Sequence, residues 1–219
     1  MRASERRLAP GVKQYKAVVI GGSAGGAEAI QGILLALPKN FALPILAVQH
    51  LHPSDDGSFA LHMASLTQIP VVEPCDKARI EPGCVYTAPA NYHMLVERDG
   101  TISLSVEERV NWSRPSIDVL FESAAFAWGE SVIAVILSGA NTDGVQGMIA
   151  VKEAGGLTIA QDPAEARNPV MPQAAIGAGA VASVLRADEI GRLLAMLGGQ
   201  ETLSSSGNGQ SMRKNHDGE

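Results

Sequence analysis

A serine set among glycines, between a short apolar run and a helical pattern, is the first feature of this sequence that could do chemistry. Ser23 lies in GGSAGG (21–26), directly after the apolar, β-branched run 17–20 and before a helical pattern over 27–37 that Pro38 closes. Residues 21–25 fit the G-x-S-x-G nucleophile elbow in its strand–turn–helix context. Glycines permit the sharp turn, and the N-terminus of the following helix offers free N–H groups to a developing oxyanion. The same segment could instead cradle a phosphate, with Ser23 as a helix cap. Against that, Ser23 occupies the second glycine position of the dinucleotide fingerprint, and no Gly-Lys-Ser/Thr follows to make a P-loop.

A serine nucleophile needs a base and a group to orient the base. His50 stands at the end of a second buried apolar run, 44–49. In an open parallel sheet ligands bind outside the carboxyl ends of the strands, which puts Ser23 and His50 on one edge. His52, His62 and His93 compete; His62 falls within a helical pattern and His93 in a hairpin region. Asp143, in SGANTDG (138–144), follows the apolar run 132–137 and so reaches the same edge, although an aspartate there could equally cap the helix predicted over 145–154. Asp55 and Asp56 are close to His50 but begin a helix. His50 and His52 with Asp55 and Asp56 resemble the start of a metal-dependent hydrolase motif, yet the H-x-H-x-D-H spacing is not met. Cys75 and Cys84 fit no zinc spacing and read as reduced thiols. The expectation is catalytic Ser23, His50 and Asp143, with no metal and no cofactor.

These residues must be positioned by an α/β fold. Strands at 17–20, 44–49, 132–137, 157–160 and 181–185 lack polar alternation, as in a parallel sheet covered on both faces. Helices are predicted over 27–37, 57–66, 116–128, 145–154, 171–178 and 188–197, the third with Ser116 as N-cap after Pro115. Short strand-like runs at 71–72, 83–87, 92–97 and 101–106 break the βα rhythm, and Asp99-Gly100 between two of them is a hairpin signal, so an antiparallel insertion is expected here. The predicted class is a doubly wound, mostly parallel α/β sheet with helices on both faces and a small antiparallel hairpin insertion.

Composition agrees. The chain has 219 residues, 46% of them apolar and 18% charged, enough for one large domain with a buried core. Residues 1–16 carry five basic side chains and one acidic, whereas 17–199 carry ten basic and nineteen acidic. An acidic body counts against nucleic acid as a partner. No apolar stretch is long enough to span a bilayer, and the N-terminus lacks a signal-peptide core, so a cytoplasmic monomer that does not insert in membranes is expected. Residues 1–15 read as a flexible basic N-terminus, 16–198 as the folded domain and 199–219 as a disordered tail.

The ordered segments GGSAGG (21–26), VQHL (48–51), EPGCVYTAP (81–89), RPSIDVLF (114–121), LSGANTDG (137–144), GLTIAQD (156–162) and MPQAAI (171–176) resemble those of the CheB-type chemotaxis receptor methylesterases, over about 16–197. The resemblance implies a serine hydrolase with chain order Ser23, His50, Asp143. Its substrates would be glutamate γ-methyl esters on the cytoplasmic helices of chemoreceptors, where many members of the family also deamidate glutamines. The family's usual threonine after the serine is Ala24 here, and its usual methionine in the aspartate loop is Ala140. Both fall near the oxyanion site, so a catalytically weakened receptor-binding adaptor is the alternative; a nucleotide-binding regulator using 21–26 is a third reading. Arg114 is either a substrate contact or a structural salt-bridge partner. Many relatives carry an N-terminal receiver domain. Only 16 residues precede the first strand here, so the expectation is an effector domain standing alone.

Overall fold

A computed structural model of the chain describes residues 13–199. The expectations of a flexible start and a disordered tail therefore lie outside the described residues, apart from 13–15 and 199. Seven parallel strands form the central sheet: β1 (Ala17–Gly22), β2 (Ile45–Gln49), β3 (Val71–Val72), β4 (Val85–Thr87), β7 (Val132–Ile136), β8 (Leu157–Gln161) and β9 (Ser183–Leu185). Their order is β3-β4-β2-β1-β7-β8-β9. From β1 the chain places β2 and β3 on one side and slots β4 between them, then returns to β1 and builds outward through β7, β8 and β9 on the other. This reversal of direction makes β1 and its two neighbours the switch point of a doubly wound sheet, where such folds bind ligands.

Every residue of β1, β2 and β7 is buried. Successive side chains of a strand point to opposite faces. Accordingly Ala17 and Val19 join one core while Val18 and Ile20 join the other. The first core is closed by α3 (Ile117–Trp128), α4 (Val145–Glu153) and α5 (Val170–Gly177), the second by α1 (Gly26–Leu35), α2 (Ser58–Leu66) and α6 (Ala187–Gly198). On α3, Ile117, Leu120, Phe121 and Ala124 form the predicted apolar stripe and are fully buried. Among the described residues no helix is long and apolar enough to cross a membrane.

The small antiparallel hairpin expected in the middle of the chain is present. Only β5 (His93–Val96) and β6 (Ile102–Ser105) form it, around a turn in which Gly100 takes a φ of 80°. β3 and β4 instead extend the main sheet, pairing in parallel with each other and, through β4, with β2. With two and three residues they are too short for periodicity to show their direction. The hairpin lies against α3, where Ser123 Oγ accepts from the Val96 N–H at 3.0 Å.

Candidate active site

Ser23 follows β1 between the ends of β2 and β7. Gly22 pairs with Gln49 and Gly21 with Ile136. Continuing that register brings Ser23 beside His50 on one side and Ser138 on the other. The backbone is tied down accordingly: Ser23 N–H donates to Ser138 O (2.9 Å), and His50 N–H donates to Gly22 O (3.0 Å). Ser23 O accepts from Gly26 N–H and from Gln49 Nε2, each at 2.8 Å. The elbow needs glycine where it is tightest. Gly25 has a φ of 80°, and a Cβ there would stand 2.6 Å from Arg167 Cβ and 2.7 Å from Ser138 Oγ. Among the described residues the Ser23 hydroxyl has no hydrogen-bond partner, and catalytic contacts commonly tighten only once substrate is bound. The N–H groups of Ala24 and Ala140, both at exposed positions, likewise meet no acceptor among the described residues.

His50 Nε2 lies 2.9 Å from Asp143 Oδ2, with the Asp143 side chain fully buried and that of His50 13% exposed. Asp143 accepts from four further donors. Ile117 N–H reaches Oδ2 at 2.7 Å; Ser116 Oγ (2.8 Å), Asn111 Nδ2 (2.9 Å) and Asp118 N–H (3.3 Å) reach Oδ1. Burial pushes the Asp143 carboxyl up, but donation from His50, Asn111, Ile117 and Ser116 outweighs it and holds the group below its ordinary value. An ionised Asp143 only accepts, so His50 carries its proton on Nε2 and leaves the Nδ1 lone pair free. This is the opposite ring sense to the trypsin-like triad, in which aspartate holds Nδ1.

Asp143 does not cap the helix that follows it, because Gly144 holds that position with no side-chain bond. It caps α3 from a distance, through Ile117 and Asp118 N–H. Ser116 does sit at the N-cap of α3, but its hydroxyl goes to Asp143 rather than to its own helix. His93 is buried behind it: Nδ1 accepts from Ser116 N–H (3.2 Å) and Nε2 donates to Glu108 O (3.0 Å). His93 is thus a structural support rather than a rival base. His62 is exposed on α2, and His52 bonds to Ser54 Oγ through Nδ1. Arg114 forms no ion pair among the described residues; its Nη1 donates to Val106 O and Glu107 O. Among the described residues no group of three or more His, Cys, Asp or Glu side chains could hold a metal ion. Cys75 and Cys84 are free thiols, and burial pushes the Cys84 thiol up.

Asn111 and Ser116 are the site residues that sequence reasoning did not assign to the site. A model of the CheB methylesterase family matches residues 18–194. The chain belongs to the CheB methylesterase family. A Leptospira interrogans relative, provisionally named protein-glutamate methylesterase/protein-glutamine glutaminase, is 48% identical over 183 residues, covering 84% of this chain and 95% of that one. Protein-glutamate methylesterase/protein-glutamine glutaminase 2 of Pseudomonas aeruginosa is 37% identical over 195 residues, covering 88% of this chain and 56% of its own length. The Thermotoga maritima CheB methylesterase catalytic domain, a crystal structure, superposes with a TM-score of 0.80 at 36% identity, covering 84% of this chain and 99% of that one. The CheB methylesterase family is one of hydrolases, and its catalytic-domain fold is the fold described above.

Proposed function

We propose that residues 16–198 form a serine hydrolase domain that removes methyl groups from glutamate γ-methyl esters, and deamidates glutamines, on the cytoplasmic helices of methyl-accepting chemoreceptors. One observation carries the reading: the His50–Asp143 bond stands beside Ser23 at the carboxyl edge of three adjacent strands. Ser23 Oγ attacks the ester carbonyl as its proton passes to His50 Nδ1. Asp143 keeps the ring in that tautomer and stabilises the imidazolium. The tetrahedral intermediate collapses, methanol leaves with the proton from His50, and a water activated by His50 hydrolyses the acyl-enzyme to glutamate. With glutamine as substrate the leaving group is ammonia.

The unengaged N–H groups of Ala24 and Ala140 suit an oxyanion site made of backbone donors, which alanine side chains leave intact. This favours a working enzyme over the adaptor. The test is methanol release from methylated chemoreceptor fragments. The wild type should release methanol and Ser23→Ala should lose turnover by about 10⁴–10⁶-fold. Release by Ser23→Ala at the wild-type rate would remove Ser23 from the reaction. Binding to receptor fragments without any release by the wild type would leave the adaptor.

A further inference from the structure

We infer that Asn111 is a positioning residue of the triad, whose side-chain amide separates two buried carboxylates and keeps Asp143 free to accept from His50. The inference rests on the reading of Ser23, His50 and Asp143 as a triad. Asn111 Nδ2 donates to Asp118 Oδ2 at 2.8 Å and to Asp143 Oδ1 at 2.9 Å. Asp118 is 4% exposed and Asp143 is fully buried. A single nitrogen with two hydrogens satisfies both acceptors; an ionised aspartate offers none and a serine only one.

The backbone presents that nitrogen. Val110 and Ser113 bond to each other in both directions, closing a turn whose central residues, Asn111 and Trp112, have φ of 50° and 60°. Left-handed conformation at both central positions is the I′ hairpin, which favours asparagine. The turn alone would thus account for an asparagine here, but not for an amide held between two carboxylates.

The ionisable groups that bear on Asp143 are His50 from the end of β2, and Asp118 and Glu122 from α3. Burial, and after it the nearby Asp143 charge, pushes Asp118 up, while Gly147 N–H and Asn111 pull it down. Asn111 is itself exposed; without its amide the two carboxylates lose their shared donor, and like charges close together disfavour joint ionisation. A proton shared onto Asp143 would weaken the bond it accepts from His50 and remove the charge that stabilises a His50 imidazolium.

Two substitutions separate this role from the turn. Asn111→Gly keeps the left-handed backbone and removes the amide; Asn111→Asp keeps the size and replaces the donor with an acceptor. Labelling of Ser23 by a fluorophosphonate reads the nucleophile without any receptor substrate. At neutral pH the rate should fall about 10–100-fold in Asn111→Gly and further in Asn111→Asp, with the acid limb of the pH profile moved to higher pH. In ¹³C spectra of the aspartate carboxyls, the Asp118 and Asp143 midpoints should both rise in Asn111→Gly, because each loses a donor. A slower variant with unchanged pH profile and unchanged midpoints would reduce Asn111 to a turn residue and overturn the inference. So would Asn111→Asp labelling as fast as wild type. If the variants do not fold, the wild type decides: both Asn111 Nδ2 hydrogens should exchange slowly and shift as Asp118 titrates, and rapid exchange would overturn the inference. A wild type that labels at Ser23 but releases no methanol from receptors counts against the substrate reading alone.

Discussion

Five donors converge on one carboxylate at Asp143, and a buried charge is tolerable only when satisfied in this way. Replacing it with Asn removes the charge that holds the His50 tautomer, so kcat of Asp143→Asn should fall by about 10⁴-fold with the fold retained. The same substitution has a signature in stability. The Asp143 carboxyl sits below its ordinary value when folded, so its stabilisation is complete above the unfolded value of about 3.9 and is lost as pH falls through the lower, folded value. The Tm difference between wild type and Asp143→Asn should therefore be steady near neutrality and shrink on acidification below about pH 4. Asp118 has the opposite sign: its folded value is raised, so its ionised form costs stability at neutral pH and acidification relieves that cost.

At the scale of elements, the site is made where strands stop. The proposed catalytic residues Ser23, His50 and Asp143 follow β1, β2 and β7, three neighbours in the sheet, and that placement was legible because an apolar run announces where its strand ends. Asn111, Ser116 and His93 were not legible in the same way. They lie on or beside the insertion that precedes α3, and they meet Asp143, or one another, across 23 to 32 residues of sequence through contacts that no spacing rule encodes. The direction of β3 and β4 was hidden by their length. The elbow yields a prediction of its own. Alanine at position 25 would need left-handed backbone and would meet Arg167 and Ser138, whose hydroxyl donates to Ala24 O and accepts from Asn168 N–H. Gly25→Ala should cost about 1–3 kcal/mol, read as a Tm lowered by roughly 2–4 °C per kcal/mol, with turnover reduced as well.

Across the whole molecule, two cores on opposite faces of the sheet divide the labour. The core under α3, α4 and α5 carries the N-terminus of α3 that holds Asp143, whereas the other core closes the far face. Phe121 is fully buried in the first. Phe121→Ala should cost about 3–5 kcal/mol. A change of the same kind at Phe41, in the second core, should lower stability without touching the α3 cradle; comparing the two by denaturant unfolding and Ser23 labelling checks that division. The chain has two tryptophans, and they occupy very different surroundings: Trp112, on the turn that carries Asn111, is 91% exposed, while Trp128, at the far end of α3, is only partly exposed. The protein therefore carries its own fluorophore next to the residue that grips Asp143. Its red-edge emission should be open to acrylamide quenching and should disappear in Trp112→Phe. A protein seated over that turn would register as shielding of this one indole, a docking signal that requires no label and no chemical turnover.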